Sequence, residues 1–332
     1  MHRAAVWKGL PKKGTEMNDE VQILASGLQF PEGPIAMPDG SVLFVEIGAG
    51  RLSRWRPDGR VEVVATTGGG PNGAAIGPDG ACYVCNNGGF LWHTDPNGGL
   101  YPHGRSADYS GGRIERIDLT TGRVDRLYDR TERGPLSGPN DIVFDAHGGF
   151  WFTDLGGMGE REIERGRICY ARADGSMVRD VVVPMLTPNG IGLAPDGKTL
   201  YVAETVTARL WAFEVTGPGE LALRPWPSLT PGLMLFASEV YCMFDSMALE
   251  AGGNVCVATI GSPGVAGITV LSPQGELVER VAMPDRSTTN ICFGGADLQT
   301  AFITQSRSGR LASKRWARPG LPLEWLHRQA SA

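Results

Sequence analysis

The chain has 332 residues, a formal net charge of -5, and 42% hydrophobic and 20% charged residues. That balance fits a globular protein with a sizeable core, and the lack of a basic field argues against a nucleic-acid partner. No run approaches about 18 apolar residues and no secretory apolar segment follows the start, so no membrane partner and a cytoplasmic location are expected.

Residues 1–20 carry scattered charge with little pattern and read as a flexible leader. Val21-Gln22-Ile23-Leu24-Ala25 is a short strand. Six similar units follow, each a strand, a tight turn and a second strand. They open at Phe30-Pro31-Glu32-Gly33, Pro71-Asn72-Gly73, Pro139-Asn140-Asp141, Pro188-Asn189-Gly190, Phe244-Asp245-Ser246-Met247 and Thr288-Thr289-Asn290. Their turns include Pro38-Asp39-Gly40, Pro78-Asp79-Gly80 and Pro195-Asp196-Gly197, where Pro presets φ and Gly supplies φ > 0. The openings fall about 40 to 70 residues apart, the period of propeller blades.

Most units add two further strands, as at 51–55 and 61–65 in the first. Four strands in each of six units predict an all-β, six-bladed β-propeller over 21–312, with a tail over 313–332. The strand at 21–25 can complete the last blade and close the ring. The six cysteines lie mostly in apolar, strand-like stretches and read as buried thiols; no His pair stands near Cys82 and Cys85 to complete a zinc site.

Strand parity decides which ends meet. In an up-and-down blade the Pro-Asp-Gly turns share one face of the disc. The unit openings and the loops after each second strand share the other. The innermost strands line the channel, so Glu32, Asn72, Asn140, Asn189, Asp245 and Asn290 converge near its mouth. All six bear oxygen, and a ring of carboxylate and amide oxygens suits a hard divalent cation. Oxygen donors favour Ca2+, with Zn2+, Mn2+ or Mg2+ able to serve.

The site face also carries the long loop 87–112, with Asn87, Trp92, His93, Tyr101 and His103, expected as a lid or substrate wall. Residues 226–243 are expected to form a second apolar wall. Asp154 ends a second strand on this face, as a partner of the ring, a substrate contact or the ligand of a second cation. Glu46 and Glu204 hold comparable positions and read as surface carboxylates. His147 lies in a turn on the opposite face and reads as structural.

These openings, with the closing run Thr288-Thr289-Asn290-Ile291-Cys292-Phe293-Gly294-Gly295, resemble those of the SMP-30/gluconolactonase/LRE-like family across about residues 21–312. The resemblance implies a propeller with a divalent metal, commonly calcium, in its channel, and a lactone-opening hydrolase. Carried over by motif, Glu32, Asn140, Asn189 and Asp245 would be the metal ligands, with Asp245 as general base or nucleophile. Asn72 would contact substrate or water, and Asn87, His103, Asp154 and Asn290 are further candidate substrate contacts. Regucalcin-like members usually carry Arg where this chain has Gly138, which speaks against a regucalcin-like sugar substrate, and Pro139-Asn140-Asp141 followed by Phe152-Thr153-Asp154 is more similar to the bacterial lactonase branch. Hydrolysis of a phosphotriester, isomerisation or dehydration of a cyclic substrate, and ligand binding without turnover are the other readings.

Overall fold

A computed structural model describes residues 20–159, 161–225 and 229–327. The expected leader falls almost wholly outside them. The described residues form a six-bladed β-propeller of antiparallel blades, with one short α-helix at Glu324–His327.

Blade 1 is Pro31–Ala36, Val42–Glu46, Arg51–Trp55 and Val61–Thr66, counted from the channel outward. Blade 2 is Pro71–Ile76, Cys82–Asn86, Arg113–Ile117 and Val124–Tyr128; blade 3 is Pro139–Phe144, Gly149–Asp154, Gly166–Arg172 and Val178–Met185. Blade 4 is Pro188–Leu193, Thr199–Glu204 and Arg209–Gly217, with an outer edge shared by Glu220–Ala222 and Leu233–Ala237. Blade 5 is Cys242–Leu249, Val255–Gly261, Gly267–Leu271 and Leu277–Ala282. Blade 6 takes Thr288–Gly294, Thr300–Gln305 and Arg310–Arg315 from the end of the chain and Gln22–Ser26 from its start. The early strand thus closes the ring, pairing Gln22 with Ser313 and Ser26 with Arg310.

The sequence explains each strand's place. Second strands such as Val42-Leu43-Phe44-Val45-Glu46 are buried throughout, because both faces meet neighbouring blades, and this one is apolar up to its closing acid. Fourth strands such as Val61–Thr66 alternate, because one face meets solvent. The inner turns are held by their acids: Asp39 Oδ1 accepts from Ser41 N at 3.0 Å, and Asp196 Oδ1 from Lys198 N at 2.9 Å. Between blades 2 and 3, Tyr83 meets Phe144 edge-on at 5.1 Å over a cluster with Phe150 and Phe152. Each such fully buried large side chain contributes about 1.5–3 kcal/mol relative to exposure. The six cysteines are buried and free, as expected.

The two stretches expected as walls are built from paired strands. The loop 87–112 contains a β-hairpin, Phe90–Thr94 with Leu100–Arg105. Trp92 rests on Phe30 at 5.1 Å, and Asp95 at the tip pairs with Arg307 of blade 6. The insertion therefore runs along the rim of the site face from blade 2 over blade 1 to blade 6. Within 226–243, Leu233–Ala237 is no wall: it pairs with Arg209–Ala212 as an outer strand, Tyr241 is 88% exposed, and 226–228 lie outside the described residues.

The expected tail boundary at 312 falls inside the strand Arg310–Arg315. Beyond it the chain crosses the turn face. Leu321 N donates to Leu249 O, and Trp325 Nε1 to Asp145 O at 2.9 Å. Leu321, Trp325 and Leu326 pack under the channel, over a cavity of about 130 Å³ walled by Ile35, Ile142 and Met247.

A chain beginning after Ser26 leaves the edge of Arg310–Arg315 unpaired. It is expected to melt lower and to aggregate with rising concentration. Melting followed by circular dichroism, with light scattering, checks this; an unchanged melting temperature would show that the ring does not need its closing strand.

Candidate functional site

The site begins with a repeated irregularity. Each inner strand pairs regularly with its neighbour, then slips by one residue at its opening. Pro71 faces Asn86 but Ala74 faces Val84; Pro139 faces Asp154 but Ile142 faces Phe152; Pro188 faces Glu204 but Ile191 faces Val202. Blades 1, 5 and 6 slip at 32–35, 244–247 and 288–290. An extra residue in a ladder bends the strand and re-aims its side chains. Here the slip takes in Asn72, Asn140, Asn189 and Asp245, and Glu32 and Asn290 flank it.

The bulges also pack the ring tightly. A Cβ on Gly33 would lie 2.5 Å from Asn72 O, one on Gly73 2.5 Å from Asn140 O, and one on Gly190 2.6 Å from Asp245 O. Glycine recurs after the opening residue because the next blade occupies that space.

Glu32, Asn72, Asn140, Asn189 and Asn290 are buried in the channel wall, and Asp245 is partly exposed there. Glu32 Oε2 accepts from Gly33 N at 2.7 Å and from Asn290 Nδ2 at 2.8 Å. Asn290 thus holds Glu32. Asn189 Nδ2 donates to Thr205 Oγ1 at 3.0 Å, its Oδ1 accepts from Ser246 Oγ at 3.5 Å, and its side chain also hydrogen-bonds Asp245. Asp245 Oδ1 accepts from Ser246 N at 3.1 Å. Asn140 Oδ1 is buried and has no hydrogen-bond partner.

Sequence reasoning missed one member of this group, Asp141. It is buried, its Oδ1 accepts from Ile142 N at 2.9 Å, and Ser246 of blade 5 hydrogen-bonds its side chain. Its signal was present: Pro-Asn-Asp stands where two other units have Pro-Asn-Gly. Burial, then the Glu32 charge, pushes the Asp141 carboxyl up to about 7. Burial likewise raises Glu32, and burial with the charges of Glu32 and Asp141 raises Asp245 well above the usual carboxylate range. Three acids from three blades therefore repel one another across the channel.

These residues fit a divalent cation. The donors are all oxygen, one buried amide oxygen is unclaimed, and a positive charge would relieve the acids' repulsion. Among the described residues no three His, Cys, Asp or Glu side chains are grouped to hold a metal alone. Any donor set here would therefore draw on amide oxygens as well as carboxylates.

The other candidates are placed differently. Asp154 does not open onto the channel: it is 1% exposed and accepts from Ser137 N, Gly138 N, Gly156 N and Arg167 Nε. It anchors the chain entering blade 3. Glu46 and Glu204 are not surface carboxylates either. Glu46 accepts from Gln29 N, Arg51 and Ser53; although burial raises its pKa, these partners hold it below the usual range. Glu204 accepts from Leu186 N and Thr207. The Asn87 Oδ1 accepts from Gly89 N, while its buried Nδ2 has no partner. His103 is exposed on the hairpin, 4.4 Å from the His93 ring. His147 is exposed in its turn on the opposite face. At Gly138 a Cβ would lie 2.5 Å from Gly156 O, so the backbone leaves no room for a side chain.

Known proteins resemble this chain in sequence and in fold. The model of the SMP-30/gluconolactonase/LRE-like region matches residues 30–307. A gluconolactonase of Zymomonas mobilis is 25% identical, over 88% of this chain and 81% of its own. A lactonase drp35 of Staphylococcus epidermidis is 26% identical, over 80% of this chain and 73% of its own. Among solved structures, a gluconolactonase from Xanthomonas campestris superposes with a TM-score of 0.69 at 22% identity, over 89% of each chain. A calcium-binding protein, regucalcin, from Agrobacterium tumefaciens gives 0.68 at 18% identity, over 92% of this chain and 98% of its own. With the blades, the bulged openings and the match over 30–307 together, the chain belongs to the SMP-30/gluconolactonase/LRE-like family.

Proposed function

We propose that this protein hydrolyses a lactone, a small cyclic ester such as a sugar lactone, with a divalent cation held by Glu32, Asn140, Asn189 and Asp245. The observation that carries the reading is the unclaimed Asn140 oxygen in a wall of mutually repelling acids. The names of the relatives supply the substrate class. Calcium suits the all-oxygen donors best.

When bound, such an ion polarises an ester carbonyl and stabilises the oxyanion that forms. The chain's residues do the rest. Ser246 N holds Asp245 Oδ1, leaving Oδ2 to take a proton from water or to attack the carbonyl. Thr205 and Asn290 fix the orientations of Asn189 and Glu32. Asn72 stands in the same ring as a contact for substrate or water, and the 90–105 hairpin lines the rim on which Asn87 and His103 would meet the substrate. Arginine is absent at 138, which favours a substrate other than regucalcin's.

Replacing Asp245 by Asn keeps the shape and removes the base. Activity on a lactone panel is expected to fall by about 10²–10⁴-fold or more, with the fold intact by circular dichroism. Full turnover in Asp245→Asn would sink the assignment.

The raised carboxyls set a second expectation. A folded acid with a raised pKa binds protons more tightly than the unfolded chain does. Its stabilisation is full below the unfolded value and is lost as pH rises through the folded one. For Asp141 that window runs from 3.8 to about 7. Chelator-treated protein should therefore melt progressively lower across it, and added Ca2+ should reverse the loss at pH 7. A melting temperature indifferent to Ca2+, Mg2+, Mn2+ and Zn2+ at pH 7 would count against a metal at this site.

A further inference from the structure

We infer that Thr153 is a positioning residue that sets the spacing between the amides of Asn140 and Asn189. The inference rests on the metal reading above. Thr153 is fully enclosed, next to last in the second strand of blade 3. Its hydroxyl accepts from Asp141 N at 3.1 Å and donates to Asn189 O at 2.6 Å in blade 4.

The bulges make this hydroxyl necessary. Residues 140 and 141 together stand opposite Thr153, so Asp141 N is displaced from its ladder. Residues 189 and 190 likewise stand opposite Ala203, which displaces Asn189 O. A buried N–H and a buried carbonyl then need partners. One hydroxyl, with one proton to give and lone pairs to receive, serves both. Its single proton is committed to blade 4, so the bond also fixes the direction of the link.

The same position is used elsewhere with less effect. In blade 2 it is Cys85, whose Sγ donates to Asp141 O at 3.7 Å, a weaker link. In blade 1 it is Val45, in blade 4 Ala203 and in blade 5 Ala258, none of which has a polar side chain. In blade 6 it is Thr304, which reaches Asn290 O of its own blade at 3.4 Å. At this position the short inter-blade bond therefore falls between blades 3 and 4, where two of the ring's four amides, those of Asn140 and Asn189, stand side by side. A shift of either bulge moves one amide oxygen relative to the other, and partners that orient metal ligands set affinity.

The test uses Thr153→Val and Thr153→Ser in the full chain, with Thr269→Val as a control. The Thr269 hydroxyl is buried against that of Thr259 at 2.8 Å, within one blade. After removal of metal, Ca2+ is titrated by calorimetry, and kcat and KM are measured on a lactone. Thr153→Val is expected to weaken Ca2+ binding about 10–100-fold and to lower kcat more than it raises KM. Thr153→Ser should restore both to within about threefold, since it restores the hydroxyl. Thr269→Val should lower the melting temperature and leave Ca2+ affinity unchanged. Should Thr153→Val not fold, Thr153→Ala removes the hydroxyl without setting a methyl against Asn189 O. Wild-type Ca2+ affinity in the hydroxyl-free variant overturns the inference alone. Failure of the wild-type chain to bind Ca2+, Mg2+, Mn2+ or Zn2+ overturns the metal reading and the inference with it.

Discussion

Everything at the centre of this propeller depends on one extra residue in each inner strand. A regular ladder would alternate side chains into the two flanking inter-blade layers and leave the channel lined by whatever lay between. The slip at each opening instead turns a polar residue toward the axis. It also leaves backbone groups without ladder partners, and the surrounding sequence is arranged to satisfy them. Glycine after the opening lets the next blade come close, Thr153 joins two blades, and Asn290 and Thr205 hold the side chains of Glu32 and Asn189. The channel chemistry and the inter-blade packing are thus consequences of the same backbone defect.

The sequence carried the fold clearly, because both of its signals are local. Turn chemistry such as Pro38-Asp39-Gly40 marks hairpin ends, and continuous apolar runs such as Val42–Val45 mark strands packed on both faces. Recurrence of the two gave blade number, register and the closing role of Gln22–Ser26. The ring of Glu32, Asn72, Asn140, Asn189, Asp245 and Asn290 was legible for the same reason, since position within a repeat determines position around an axis.

What the sequence concealed was the state of individual polar groups. Glu46, Asp154 and Glu204 share a phase that faces the site, yet their oxygens are spent on the loops that enter each blade. Only the partners reveal this, and those partners lie 16 to 18 residues away along the chain. Asp141 was hidden in the opposite way. It follows a ligand-like Asn, where an acid looks like turn chemistry, and its contact with Ser246 of blade 5 is non-local. The pairing within the insertion and within residues 226–243 was not legible, because composition gives an element's polarity and not its partners: one contains a hairpin along the rim and the other an outer strand.

The segment after Arg315 gives the channel a direction. Leu321, Trp325 and Leu326 lie across its turn-face end. A tube stopped at one end behaves as a well. A ligand of the channel carboxylates would therefore come and go by the rim that carries the 90–105 hairpin.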